Sequence, residues 1–113
     1  PDGSARRLRQ ALVCGAVIVS DTFGRPWREG LTNVAIGVSG LEALEDYRCR
    51  KDHTGRTLQS TVVATADELA AAAGLVMRKE EGVPAALITG LRWKPAEGSA
   101  APLIRAADRD LFR

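Results

Sequence analysis

Aromatic residues are nearly missing from this sequence, at 4% of 113 residues. A core of that composition cannot rest on rings and must be built mainly from Val, Ile, Leu and Ala. Cysteine is scarce too. Cys14 and Cys49 are far apart, and neither belongs to a CxxC or Cys/His metal spacing. They read as free thiols of a reducing, cytoplasmic compartment, with a structural disulfide as the alternative. The single histidine, His53, stands in a charged turn, where solvent exposure is the expected reading and a catalytic or metal role the minor one. No apolar run is long enough to cross a bilayer, and there is no signal-peptide pattern. A large excess of one charge is also lacking: the net charge is +2, with both signs spread along the chain. That argues against a nucleic-acid partner and against an anionic membrane surface. An initiator methionine is also missing, and Pro1-Asp2-Gly3-Ser4 reads as a loop entering a helix, so a processed or truncated piece is expected.

What is present suits one small domain, residues 1–113, of the α+β class: a mixed sheet, a long alanine-rich helix and a short N-terminal helix. Ser4 to Leu12 reads as a short basic helix, with Ser4 as N-cap and Leu8 and Leu12 turned to the core. Ala16 to Ser20 is a short apolar run that suits a strand buried on both faces. Residues 21–30 read as a loop in which Pro26 holds Arg25 extended. Asn33 to Val38 is a second apolar run, and Leu41 to Tyr47 suits one or two helical turns. A turn over Arg48 to Arg56 follows, with Gly55 giving backbone freedom, and then a strand over Leu58 to Ala64. Thr65-Ala66-Asp67-Glu68 has the pattern of a capping box and opens a helix from Ala66 to about Met77. Val83 to Thr89 reads as another buried strand, with Pro84 near its start.

The stretch with chemistry in it is Ser20-Asp21-Thr22-Phe23-Gly24-Arg25-Pro26-Trp27-Arg28. A strand end presents its last residues rigidly, and Asp21 and Thr22 would offer neighbouring hard oxygens for Mg²⁺ or Mn²⁺ and, through it, phosphate. Arg25 and Arg28 could grip phosphate or carboxylate, and Trp27 could stack on a ring. The bland alternative stays open: Ser-Asp-Thr-x-Gly is also an ordinary turn, and Arg-Pro-Trp-Arg could be a solvated loop. An aspartyl-phosphate scheme is set aside, because Ser20 stands where its nucleophile would be needed.

Longer motifs then accumulate in order: SDTFGRPWREG, NVAIGVSGLEAL, DYR, KDHTGR, VVATADELAAAAGLVM and GVPAALITG. Together they resemble the coenzyme F-420:L-glutamate ligase (γ-glutamyl ligase) family over nearly the whole chain. The resemblance implies part of a γ-glutamyl ligase-like fold. It implies a GTP-dependent reaction in which a carboxylate of the deazaflavin precursor becomes an acyl phosphate and is attacked by the amine of L-glutamate. Mg²⁺ or Mn²⁺ and an intertwined homodimer are implied as well. Asp21 matches a family metal ligand, and Thr22 the neighbouring ligand of a second metal. The segment holding Met77, Lys79 and Gly82 matches one that lies along the nucleotide. An upstream half, with a Gly-Ile-Asp-x-Ser-Asn motif supplying a further aspartate, is implied by the family but absent from this sequence. The rival expectation is therefore a non-catalytic remnant or assembly module that keeps the fold.

Overall fold

The computed structural model describes residues 1–12, 15–48, 51–57 and 61–105. Cys14, Cys49, the start of the Leu58–Ala64 strand and the Asp110–Arg113 tail lie outside the described residues. Helix α1 spans Asp2–Leu12. Strands β1 (Val17–Arg25) and β2 (Arg28–Ser39) form an antiparallel hairpin. Strands β3 (Glu45–Asp46) and β4 (Val62–Val63) make a second antiparallel pair. Helix α2 spans Thr65–Gly74, and short 3₁₀ turns follow at Lys79–Glu81 and Ala101–Leu103. The class is α+β, and the described strands pair in two small antiparallel sheets where the sequence suggested one mixed sheet.

The hairpin differs most from expectation. Residues 21–30 are not a loop: β1 runs through to Arg25, and Arg28 opens β2, with only Pro26 and Trp27 between them. Proline fixes φ near −65° at the first turn position. Trp27 takes the left-handed φ of 58° at the second, where glycine is usual. The ladder slips by one residue between Val19 and Ser20. There the Asp67 carboxylate accepts the Ala35 amide at 2.9 Å, which docks α2 onto β2. β1 is not buried on both faces either; its inner half is only half-buried.

Alanine, more than the larger aliphatics, makes the core. Ala35, Val38, Leu41, Ala43, Ala66 and Ala100 form one buried cluster, and Ala5 is buried where α1 crosses the sheet. Leu8 and Leu12 do not face this core; they are 46% and 67% exposed. Their i, i+4 spacing does put them on one face, but no described element covers that face. The radius of gyration is 15.4 Å, against about 13 Å for a compact domain of this length. The unit is therefore open, with large aliphatic side chains left near its surface.

Local starts and stops follow tertiary contacts. The N-terminal helix begins at Asp2, so Ser4 is inside it and is not the N-cap. The expected capping box is not formed. Ala64 occupies the cap position, the Glu68 amide donates to the Ala64 carbonyl, and the Ala66 amide is taken by the Ala43 carbonyl at 3.1 Å. Thr65 is thus the first helical residue, and its buried hydroxyl has no hydrogen-bond partner among the described residues. Thr65→Val is expected to raise stability by about 1 kcal/mol, because a desolvated, unpaired hydroxyl is removed; urea unfolding would read this as a higher midpoint at unchanged slope. The helix ends at Gly74, short of Met77. Leu41 to Tyr47 is not helical: Leu41 bridges to Pro95, and Glu45–Asp46 pairs with Val62–Val63. Val83 to Thr89 is not a paired strand, since no described strand lies beside it. No helix among the described residues is long and apolar enough to cross a membrane.

Candidate functional site

Asp21 and Thr22 sit in mid-strand on β1, opposite Val34 and Asn33. A strand sends successive side chains to opposite faces, so the two oxygens are presented on opposite sides of the hairpin. Asp21 is exposed and Thr22 half-buried. One carboxylate oxygen of Asp21 accepts the Thr22 amide at 2.8 Å. Its other oxygen is unengaged by the described residues, and no cation pairs with it there.

Arg25 is four strand positions further on, about 13 Å along the chain direction. Its guanidinium donates to the Glu29 carbonyl at 3.0 Å, which fastens the tip of the hairpin. Arg28 faces it across the turn as the partner of Arg25 in the ladder, and Trp27 is 90% exposed at the apex. The structure therefore groups Arg25, Trp27 and Arg28 at one end of the hairpin and sets Asp21 and Thr22 apart from them.

The second candidate segment reaches the site through α2. Gly74 packs against the Asn33 side chain, and Asn33 is the ladder partner of Thr22. Any side chain at position 74 would strike that amide, so the glycine sets how closely the end of α2 approaches β2. Met77, Lys79 and Gly82 follow directly from this end. Met77 is half-buried, Lys79 opens a 3₁₀ turn, and Gly82 closes it with a φ of 66°. Arg78 makes only a loose ion pair with Glu81, at 3.9 Å.

Asp52 behaves as a turn residue. Its carboxylate accepts the Thr54 hydroxyl and the amides of Thr54 and Arg56, and the Thr54 hydroxyl bond above all holds it below its ordinary value. His53 is exposed beside it. Two acids that sequence reading passed over, Asp2 and Asp67, prove to be fold-holding acceptors of backbone amides. Only the position of Asp67 in a helix's first turn hinted at such a role.

The metal question turns on donor count. No three His, Cys, Asp or Glu side chains gather among the described residues. One free carboxylate oxygen and one hydroxyl do not make a protein cage. Standing on opposite faces, they do not meet at one ion; each suits Mg²⁺ or Mn²⁺ only in the manner that draws most ligands from phosphate oxygens and water. The large cleft, of about 540 Å³, is not this site. Of the candidate residues only Met77 lines it, and its walls carry no charged side chain.

Comparison with known proteins decides the lineage. Residues 1–90 match the family described as F420-0:Gamma-glutamyl ligase. The chain belongs to this family. Coenzyme F420:L-glutamate ligases from Methanothermobacter thermautotrophicus, Methanocaldococcus jannaschii and Methanopyrus kandleri are 49%, 44% and 47% identical to it. Each match covers 100% of this chain and 48%, 48% and 49% of the relative, so the chain spans about half the length of these relatives.

Proposed function

We propose that this chain is the part of a coenzyme F-420:L-glutamate ligase that carries a metal–phosphate site at Asp21 and Thr22. In this reading the whole enzyme joins L-glutamate through a γ-linked amide to the deazaflavin precursor, using GTP and an acyl phosphate, as a homodimer. The observation that carries it is the state of Asp21. In a family whose motif is intact here, its carboxylate stands exposed in mid-strand, with one oxygen held by a neighbouring amide and the other uncommitted among the described residues.

Asp21 would hold one Mg²⁺ or Mn²⁺ and Thr22, on the other face of the strand, would offer its hydroxyl to a second; the metal would supply charge neutralisation for phosphoryl transfer. Asp21 is kept in one rotamer by the Thr22 amide, so it needs little reordering to bind. Arg25 and Arg28 offer cationic donors at the hairpin tip, where Trp27 gives a flat apolar face. The segment of Met77, Lys79 and Gly82, which follows the end of α2 where Gly74 meets Asn33, would border the nucleotide. The second reading, a non-catalytic assembly module, is favoured by one observation: no third acid joins Asp21 among the described residues.

The test is complementation. This chain is mixed with the part of the Methanothermobacter relative that lies outside the match, and glutamate-dependent release of GDP is followed with the deazaflavin precursor present. Turnover is expected, with Asp21→Ala lowering it by about a hundredfold or more. A complex that forms but never turns over would establish the assembly-module reading.

A further inference from the structure

The cleft lies between α1, β1 and α2. Leu8, Leu12, Ile18, Leu69 and Met77 stand on its walls, and residues 84–91 close one side. Finished protein interiors contain few voids larger than a water molecule. An open apolar cleft of about 540 Å³ leaves side chains of the core type uncovered by any described residue. It does not suit GTP or glutamate, since it offers no charged group to either.

Its outer wall is odd in the same sense. Val83-Pro84-Ala85-Ala86-Leu87-Ile88-Thr89 is a continuous apolar run of the kind found in strands covered on both faces. Here Leu87 is 86% exposed and Ile88 43%. No backbone hydrogen bond to another described residue involves positions 84–94. A row of unpaired amides and carbonyls beside apolar side chains is a template for strand addition.

We propose that residues 83–91 form a strand that pairs with the part of the ligase polypeptide outside the matched half, and that apolar side chains from that part fill the cleft. The inference rests on family membership and not on ligase activity. Two observations select this occupant. The relatives are about twice as long as this chain and match it along its full length. All of the segment but its last residue lies within the residues that match the family, which end at residue 90, so it is a family element and not an appendage. A second copy of this chain pairing edge to edge would satisfy the amides but leave the cleft empty.

Hydrogen exchange tests this. The purified chain is compared alone and with the non-matching part of the Methanothermobacter relative, added as a separate polypeptide. That relative's own matched half serves as the positive control. Amides of residues 85–91 are expected to exchange freely in the isolated chain and about a hundredfold or more slowly in the complex. Ile88→Pro should abolish both the association and the protection, while leaving the urea midpoint of the isolated chain unchanged, because the Ile88 amide donates to no described residue. The proposal is overturned by protection already present in the isolated monomer, or by protection that tracks self-association. It is also overturned by association without slowing at 85–91, or by no association where the control associates. Because the readout is amide protection, a complex without turnover would sink the catalytic reading and leave this one standing.

Discussion

Alanine at position 2 is expected to destabilise the fold by about 3 kcal/mol. One Asp2 carboxylate oxygen accepts the amides of Val38 at 2.8 Å and Ala100 at 3.0 Å, and the other accepts the Ser99 hydroxyl at 2.8 Å. A single side chain thus ties α1, the end of β2 and the segment before the last 3₁₀ turn. Val38 is 1% exposed, so its amide cannot turn to water when the carboxylate is removed. Each stranded buried donor costs roughly 1–3 kcal/mol. The effect is also pH-dependent. Burial pushes the carboxyl up, but the bonds from Val38, Ala100 and Ser99 outweigh it and leave the group below its ordinary 3.8. A depressed folded value means that the stabilisation is fully present above 3.8 and fades as pH falls through the lower, folded value. The gap between wild type and Asp2→Ala in urea unfolding should therefore be largest at neutral pH and begin to narrow only as pH falls below 3.8 towards the lower, folded value. An unchanged gap at low pH would mean that the carboxylate is not the source.

Gly40→Ala is the other large effect expected, about 3 kcal/mol, read as a fall in Tm of roughly 15 °C. Gly40 has a φ of 99°, where a side chain is strained whatever the space. Space is lacking as well: an added Cβ would run into the Gly15 carbonyl and lie 2.9 Å from the Ala16 Cα and 2.8 Å from an Arg9 guanidinium nitrogen. The arginine can move, but the two backbone groups cannot do so without shifting the start of β1. The same glycine donates to the Glu97 carbonyl at 3.1 Å and accepts the Ala96 amide at 3.0 Å. Strain there would loosen the 95–98 segment from the core. A Tm within a few degrees of wild type would show that this junction is softer than its contacts imply.

Legibility in the sequence followed the range of the interactions involved. The alanine-rich helix was visible because its residues favour a helix on their own account. Its ends were not, because the caps are the Ala43 carbonyl and the Gly74–Asn33 contact, which come from distant chain. β1 was recognised at its apolar start and cut off too early. Ser20, Asp21 and Thr22 look like turn residues, yet they continue the strand along a face that water reaches. The hairpin turn was missed because Pro26-Trp27 is not one of the glycine- or asparagine-based pairs that announce a two-residue loop. Leu8 and Leu12 carried a correct helix signal, whereas the strand signal of the Val83–Thr89 run is not realised among the described residues; no described element covers either, and periodicity cannot say what does. At the site, the proposed role of Asp21 came from its residue type, while its place in mid-strand was not foreseen. Nor was the separation of Arg25 from it, since that depends on the hairpin continuing straight past residue 21.

The most direct test of the central claim is calorimetric titration of Mn²⁺ with GDP into the chain, with Asp21→Ala alongside. Metal-dependent binding of GDP is expected, absent when either Mn²⁺ or the Asp21 carboxylate is removed, with the urea midpoint of the variant unchanged because that exposed side chain holds only its neighbour's amide. Equal binding by wild type and Asp21→Ala, or none by either, would contradict the assignment of a metal–phosphate site to this strand.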